Sequence, residues 1–339
     1  MMVGPIRVNH NRRRMMIAVG GALALLLFLV VAPMGLSPAT TSAWIKLFYL
    51  IALATAWNLL AGYAGMVSVG QQAYIGLGAY GVFVVNDWGV NPYLSAVIAA
   101  VIVGALALPI SVVAFRLRGG YFAIGTWVIA EAARQIVVRF ESLGAGRGRS
   151  LTTYTEDPTL RNLFTYWLAL GVAAVVIAMT VRLLRSRTGV ALQAIRDNEV
   201  AARALGIRVN TTKRIVFVCA ALAAALVGAV ICLQAIGVAS PGQIFGVNYS
   251  AFMIFMVLIG GIGTVEGPVL GAVIYFVMDF YFSQLGLWYL VVLGLLAILV
   301  TLFLPKGIWG EISARFSLTL FPITRHVEIP ADDGDPATP

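Results

Sequence analysis

Residues 93–115 read YLSAVIAAVIVGALALPISVVAF, 23 consecutive positions without a charged side chain, and Arg116 follows at once. A hydrocarbon core of ~30 Å needs about 20 apolar residues of helix to cross it, so the stretch predicts a membrane-spanning helix. The same ruler, moved outward in both directions, finds apolar runs near 15–33, 44–61, 68–86, 121–140, 163–184, 214–236, 249–263, 267–284 and 287–304. The expected fold class is therefore all-α, a polytopic transmembrane helical bundle of about ten spans.

Composition agrees. Hydrophobic residues are 60% of the 339 and charged residues 11%, where a soluble domain carries about 25% charged residues. Such a chain is solvated mainly by lipid, and its 35 glycines suit close helix packing in a bilayer. The net charge of +9 is spread over the connections between spans rather than gathered on one surface, which excludes a nucleic-acid partner. Cys219 and Cys232 share one apolar segment, roughly 20 Å apart on a helix, too far to bridge. His10 and His326 lie in the terminal tails, and no His/Cys/carboxylate cluster has metal-ligand spacing. Neither a bound metal nor a histidine-dependent hydrolase is expected.

The first apolar run follows Arg12-Arg13-Arg14 but is long for a cleaved leader and lacks a small-x-small site after it, so an uncleaved helix is expected. With the N-terminus inside, the inner connections are 1–14, 116–120, 185–213 and 305–339, with short turns near 62–67 and 264–266. They and the adjoining helix ends hold 17 of the 23 basic residues; Lys46, Arg134, Arg139, Arg147, Arg149 and Arg161 fall on the outer side. This bias predicts a multi-pass protein of a bacterial inner membrane with both termini cytoplasmic. The division expected is a basic tail 1–14, a transmembrane domain 15–310 and a cytoplasmic tail 311–339. The end of that tail, Ile329 to Pro339, is rich in Asp, Pro and Gly and is expected to be disordered.

Two connections exceed a turn. The outer one, about 141–162, mixes Gly144, Gly146 and Gly148 with Arg147, Arg149, Glu156, Asp157 and Pro158. The inner one, about 185–213, contains a helical pattern from Thr188 that stops at Gly206, a residue suited to a left-handed C-cap. Leu192, Ile195, Ala202 and Leu205 fall on one expected face, while Arg196 and the i,i+4 pair Glu199–Arg203 lie elsewhere. Two readings are open: a helix lying on anionic lipid, or one that docks in a groove of a cytoplasmic partner.

In the third run, Gly65-Met66-Val67-Ser68-Val69-Gly70-Gln71-Gln72 brings a hydroxyl and two amides to the membrane, leaving 73–85 as the apolar part. Thirteen residues make ~20 Å of helix, too short to cross. Either the polar residues lie within the span or the helix is broken; a broken helix at membrane depth is tolerated only inside protein or along a cavity. Gly65, Ser68, Gln71 and Gln72, with Asn58 and Tyr74 as wall residues, are the candidate translocation path, against the alternative of a cytoplasmic turn with polar packing contacts. Glu131 can pair with Arg134 three residues on, and Asp279 sits toward the outer end of the ninth run; intramembrane charges are functional candidates, Glu131 among those for the path. The G-x-x-x-G of Gly267 and Gly271 suits helix packing.

Several blocks resemble one family in order along most of the chain. TGVALQAIRDNEVAARALGIRVNTTK (188–213) resembles the coupling loop of branched-chain amino-acid ABC permeases of the LivM type. AWNLLAGYAGMVSVGQQAYIGLGAY, LRGGYFAIGTWVIAEAAR, IGGIGTVEGPVLGAVI and LFLPKGIWG resemble its other signatures. The resemblance implies an ABC importer permease for leucine, isoleucine or valine, with a companion permease, two ATP-binding subunits and an extracytoplasmic substrate-binding protein. It assigns the ATPase-coupling role to Arg196, Glu199, Ala201, Ala202, Arg203 and Gly206. Against the pattern E-A-A-x-x-x-G, Ala201, Ala202 and Gly206 match, while Val200 takes the acidic position and Glu199 stands one residue early. Family members often carry histidine near Gln71 or Gln72, so that role does not carry over. No G-x-x-x-x-G-K-[ST] loop is present. No cofactor is thus expected on this chain, ATP belongs on the partner subunits, and the chain is a transport subunit rather than an enzyme. The alternatives are a self-sufficient ion-coupled secondary transporter and an ABC permease for urea or short amides.

Overall fold

A computed structural model describes residues 7–8, 12–151, 157–235, 238–282, 284, 286–304, 306–316 and 327–328. His10, Glu156, Arg325, His326 and the Ile329–Pro339 stretch lie outside the described residues.

The protein is all-helical, with a helix at each of the ten expected positions. These are α1 (Arg12–Val31), α2 (Pro38–Asn58), α3 (Gln71–Asn86), α4 (Pro92–Ala114), α5 (Gly120–Arg139), α6 (Pro158–Arg185), α9 (Val209–Gln234), α11 (Asn248–Gly260), α12 (Glu266–Phe282) and α13 (Leu287–Phe303). Four shorter helices sit in the connections: α7 (Arg187–Asp197), α8 (Glu199–Ala204), α10 (Pro241–Ile244) and α14 (Gly307–Phe316). Helix α14 runs past residue 310, the boundary expected for the cytoplasmic tail. Among the described residues, six stretches are long and apolar enough to cross a membrane: Pro38–Tyr63, Pro92–Ala114, Pro158–Arg185, Val209–Gln234, Pro241–Gly260 and Val291–Arg315.

Three of the long helices start alike. Ser37, Asn91 and Asp157 each accept a backbone N–H two or three residues on (from Thr40, Tyr93 and Thr159), and each is followed by proline in the first turn. Polar cap and proline together satisfy and preset the helix start, and all three starts lie on the expected outer side.

The centre is made by α2, α3 and α9. Helices α3 and α9 cross where Gly78 lies against Ala225 and Gly228 against Ile75; a Cβ on Gly78 would stand 2.1 Å from the Ala225 oxygen, and one on Gly228 1.9 Å from the Ile75 oxygen. Helices α11 and α12 pack as closely, and a Cβ on Gly271 would lie 1.8 Å from the Met256 oxygen. Backbone approach of this kind supplies the dispersion contact that drives helix association in lipid.

Connections expected on the same side gather at the same end. On the outer side Arg149 bonds Asp87 at 2.6 Å, Arg149–Ser150 pairs antiparallel with Val238–Ala239, and the Tyr80 hydroxyl donates to the Ala239 carbonyl. Lys46 of α2 pairs with Asp279 of α12, which also accepts from the Tyr289 hydroxyl of α13.

Candidate functional site

The polar run after α2 is a broken helix. Helix α2 loosens into a π-turn at Leu59–Tyr63, residues 65–70 are non-helical, and α3 starts at Gln71. Met66, Ser68 and Gly70 are buried while Gly65 and Val67 are exposed. The buried backbone is satisfied by protein, as membrane depth requires. The Trp57 indole donates to the Ser68 carbonyl at 2.8 Å, Ser68 Oγ accepts from Gly70 N–H, and Thr126 Oγ1 of α5 accepts from Val69 N–H. The Ser250 hydroxyl of α11 lies between the Val69 carbonyl and Gln72 Oε1.

The Tyr63 hydroxyl of the π-turn stays unpartnered among the described residues, and so do two groups in the first turn of α3: both amide atoms of Gln71 and the hydroxyl of Tyr74. All three side chains are buried. Ser68, Gly70, Tyr74, Ile110, Thr126, Ile129 and Phe217 enclose a cavity of about 10 Å³, room for a single water.

Asn58 is committed elsewhere. Its Oδ1 accepts from Gly263 N–H at 2.9 Å and its Nδ2 donates to the Thr264 carbonyl at 2.7 Å. The side chain straps the end of α2 to the α11–α12 turn, and Gly62 lies so close beneath it that a Cβ would meet Asn58 Oδ1 at 2.2 Å. The sequence points to Asn58 as a wall residue; the structure gives it a strap, with both ends of its amide occupied.

The inner loop contains two helices, where the sequence pattern predicts one. Asn198 leaves helical geometry (φ −156°), and its Oδ1 accepts from Val200 N–H and Ala201 N–H, both at 3.0 Å, starting α8 afresh. Asparagine competes for local backbone in this way. The break re-aims α8, so the expected common face does not persist. Leu192, Ile195 and Ala202 are buried, but Leu205 is 80% exposed. Val200 is 78% exposed, and Ala201 and Arg203 also face out. Gly206 has φ +82°, the C-cap geometry expected of it.

Glu199 bonds Arg203 at 2.8 Å, as its spacing predicts, and also Lys213 of α9 at 2.6 Å. The Lys213 ammonium first, and the Arg203 guanidinium second, hold the Glu199 carboxyl below the usual carboxylate range. Arg196 turns the other way and donates from Nη1 to the Gly62 carbonyl at 2.5 Å. No sequence signal could have found that bond, because its acceptor is backbone.

Glu131 bonds Arg134 through Nε at 2.9 Å and Gln135 at 2.9 Å. It lies off the stripe that α5 buries against its own chain (Phe122, Thr126, Ala130 and Val137) and is 48% exposed. The candidate residues thus form three groups: the broken-helix core, the inner loop bonded to it through Arg196, and Glu131 on the outer face of α5.

A family model for the permease component of branched-chain amino acid transport systems matches residues 38–301. The high-affinity branched-chain amino acid transport system permease protein LivM of Escherichia coli (strain K12) is 26% identical over 315 residues, covering 84% of this chain and 73% of that protein. The high-affinity branched-chain amino acid transport system permease protein BraD of Pseudomonas aeruginosa is 34% identical over 140 residues, covering 40% of this chain and 44% of that protein. A chain of PsaBC from Streptococcus pneumoniae in complex with Fab superposes with a TM-score of 0.43 at 12% identity, covering 85% of this chain and 98% of that one. With most of its length under the family model, the chain belongs to the permease-component family of branched-chain amino acid transport systems.

Proposed function

We propose that this chain translocates leucine, isoleucine and valine across a bacterial inner membrane as one permease subunit of an ATP-driven importer. Its partners in that reading are a companion permease, two ATP-binding subunits and an extracytoplasmic substrate-binding protein. The observation that carries the reading is the inner loop. Its two helices bury Leu192, Ile195 and Ala202 against the chain while presenting Val200, Ala201, Arg203 and Leu205 outward. A short amphipathic element with an exposed apolar tip is the form a groove on a partner accepts. In this reading Glu199 and Gly206 set the angle of α8, and the exposed residues make the contact. ATP is bound and hydrolysed on the partners. Both termini are cytoplasmic, and ten helices cross, the shorter ones tilted into the bundle or broken within it.

The path runs beside α3 and α5. Of the candidates, Gln71 and Tyr74 keep free polar atoms and Tyr74 lines a cavity, while Asn58, Ser68 and Gln72 are held in protein bonds and shape the broken backbone. Glu131 stands eleven residues into α5, about 16 Å along it. A charge at such depth avoids lipid, so the companion permease and the water-filled path between the two subunits cover this face.

The test is purification of the tagged chain from its native membrane in mild detergent, followed by ATP-dependent uptake of labelled leucine in liposomes. The reading expects two ATP-binding subunits and a second permease to accompany the intact chain, and Leu205→Asp to release the ATP-binding pair. A chain that comes away alone and moves substrate without ATP would instead be a secondary transporter.

A further inference from the structure

Resting on the importer reading, we propose that Arg196 is an inward-facing positioning residue, the pin through which movement of the inner loop reaches the membrane helices. It lies one residue before the end of α7, next to the residues that face a partner, yet its guanidinium is spent on the opposite side. Nη1 donates to the Gly62 carbonyl at 2.5 Å, inside the π-turn that ends α2. The same guanidinium lies against Gly263, where a Cβ would meet Nη1 at 2.9 Å. Gly62 and Gly263 belong to the two turns that Asn58 holds together.

The bonds form one continuous route: α7, Arg196, the Gly62 carbonyl, the end of α2, Asn58, and the α11–α12 turn. Beyond the Arg196 side chain, each link is main chain or the short buried amide of Asn58. A carbonyl freed at a helix C-terminus needs a donor, and a cation there also meets the negative end of the dipole. That would explain a bond from any nearby cation. Here the donor comes from the inner loop, so a cap on α2 and a link to that loop are the same bond. π-turns concentrate at functional sites, and this one places the carbonyl within reach of α7.

The experiment uses the assembled complex. Arg196→Ala is expected to recover the ATP-binding subunits as the unaltered chain does, while leucine moved per ATP hydrolysed falls about tenfold or more, the scale of one lost charge-assisted bond. Arg196→Lys, which keeps the cation and a donor, restores much of that ratio. In a Cys219→Ala, Cys232→Ala background, spin labels at Gln193→Cys on α7 and Val67→Cys beyond α2 read the link without touching Arg196. Their separation is expected to stay fixed between nucleotide-free and ATP-trapped complexes. An unchanged transport ratio in Arg196→Ala, loss of the ATP-binding subunits from it, or a label separation that shifts on trapping each overturns the proposal. Should the unaltered chain bring no ATP-binding subunit, the importer reading itself fails and this proposal falls with it.

Discussion

The Asn58 strap at the inner end and the Lys46–Asp279 pair at the outer end hold the bundle by different chemistry. At the inner end the joints are directed at backbone: Asn58 to the Gly263 amide and Thr264 carbonyl, Arg196 to the Gly62 carbonyl, and glycines that let main chains touch. At the outer end ion pairs, Lys46 with Asp279 and Arg149 with Asp87, stand beside backbone-directed bonds from Tyr80, Gln234 and Tyr166 to the Ala239, Ser42 and Leu29 carbonyls. The Asn58 joint tolerates little displacement, because a short amide is held at both its oxygen and its nitrogen by main-chain groups. Ion pairs on long side chains tolerate more and are weakened by the water and salt that reach them. The difference separates a stiff joint, beside which the inner loop attaches, from a yielding one on the side where substrate is delivered in the importer reading.

The contrast can be broken most severely with Gly260→Val. A Cβ there would stand 1.9 Å from the Gly267 oxygen, and overpacking against backbone is expected to cost at least about 3 kcal/mol, seen as loss of the monodisperse peak in detergent chromatography. Next comes Asn58→Ala, which strands the Gly263 N–H and the Thr264 carbonyl. At about 1–3 kcal/mol per stranded group, it should clearly lower the thermal midpoint, and Asn58→Asp, which keeps only the acceptor, should fall between. At the outer end Asp279→Asn is expected to cost less, about 1–2 kcal/mol, since Lys46 and Asp279 are 35% and 17% exposed and lie between the exposed and buried limits for ion pairs. Exchanging the pair, Lys46→Asp with Asp279→Lys, should recover part of that loss; equal damage from Asp279→Asn and Asn58→Ala would erase the distinction between the joints.

The smallest effect concerns pH. Because the folded state lowers the Glu199 pKa, its contribution is complete above the ordinary value of 4.5 and is lost as pH falls through the folded value. The unaltered chain should therefore lose thermal stability relative to Glu199→Gln only on acidification below about 4.5. A gap of constant size from pH 7 downward would assign the difference to packing.

Helix positions were legible because membrane solvation writes long unbroken runs such as 93–115 and 287–304 into the sequence. Close packing at Gly267 and Gly271 was legible from spacing. The interruption at Asn198 was not, because it sits inside a continuing helical periodicity, and only the cap it forms reveals that it starts a second helix. The bonds of Arg196 and Asn58 were hidden because their partners are main-chain atoms, identical at every position. Lys46 and Asp279, 233 residues apart, meet only through the packing of α2 on α12. The candidate path stood out as a polar anomaly, but which of its amides were occupied depended on Ser250 and Thr264, far away in the chain.

The outer face of α5 has a consequence for how the protein is made. In the importer reading, a subunit inserted before its companion permease arrives would expose Glu131, Arg134 and Gln135 at depth, and a bilayer solvates such groups poorly. Orphan copies should therefore be short-lived, recognised and cleared by membrane quality control, while paired copies persist. Subunit ratio would then be enforced by lipid itself, with no need for matched synthesis, and a pulse-chase of the chain expressed with and without its companion would read the difference as a lifetime.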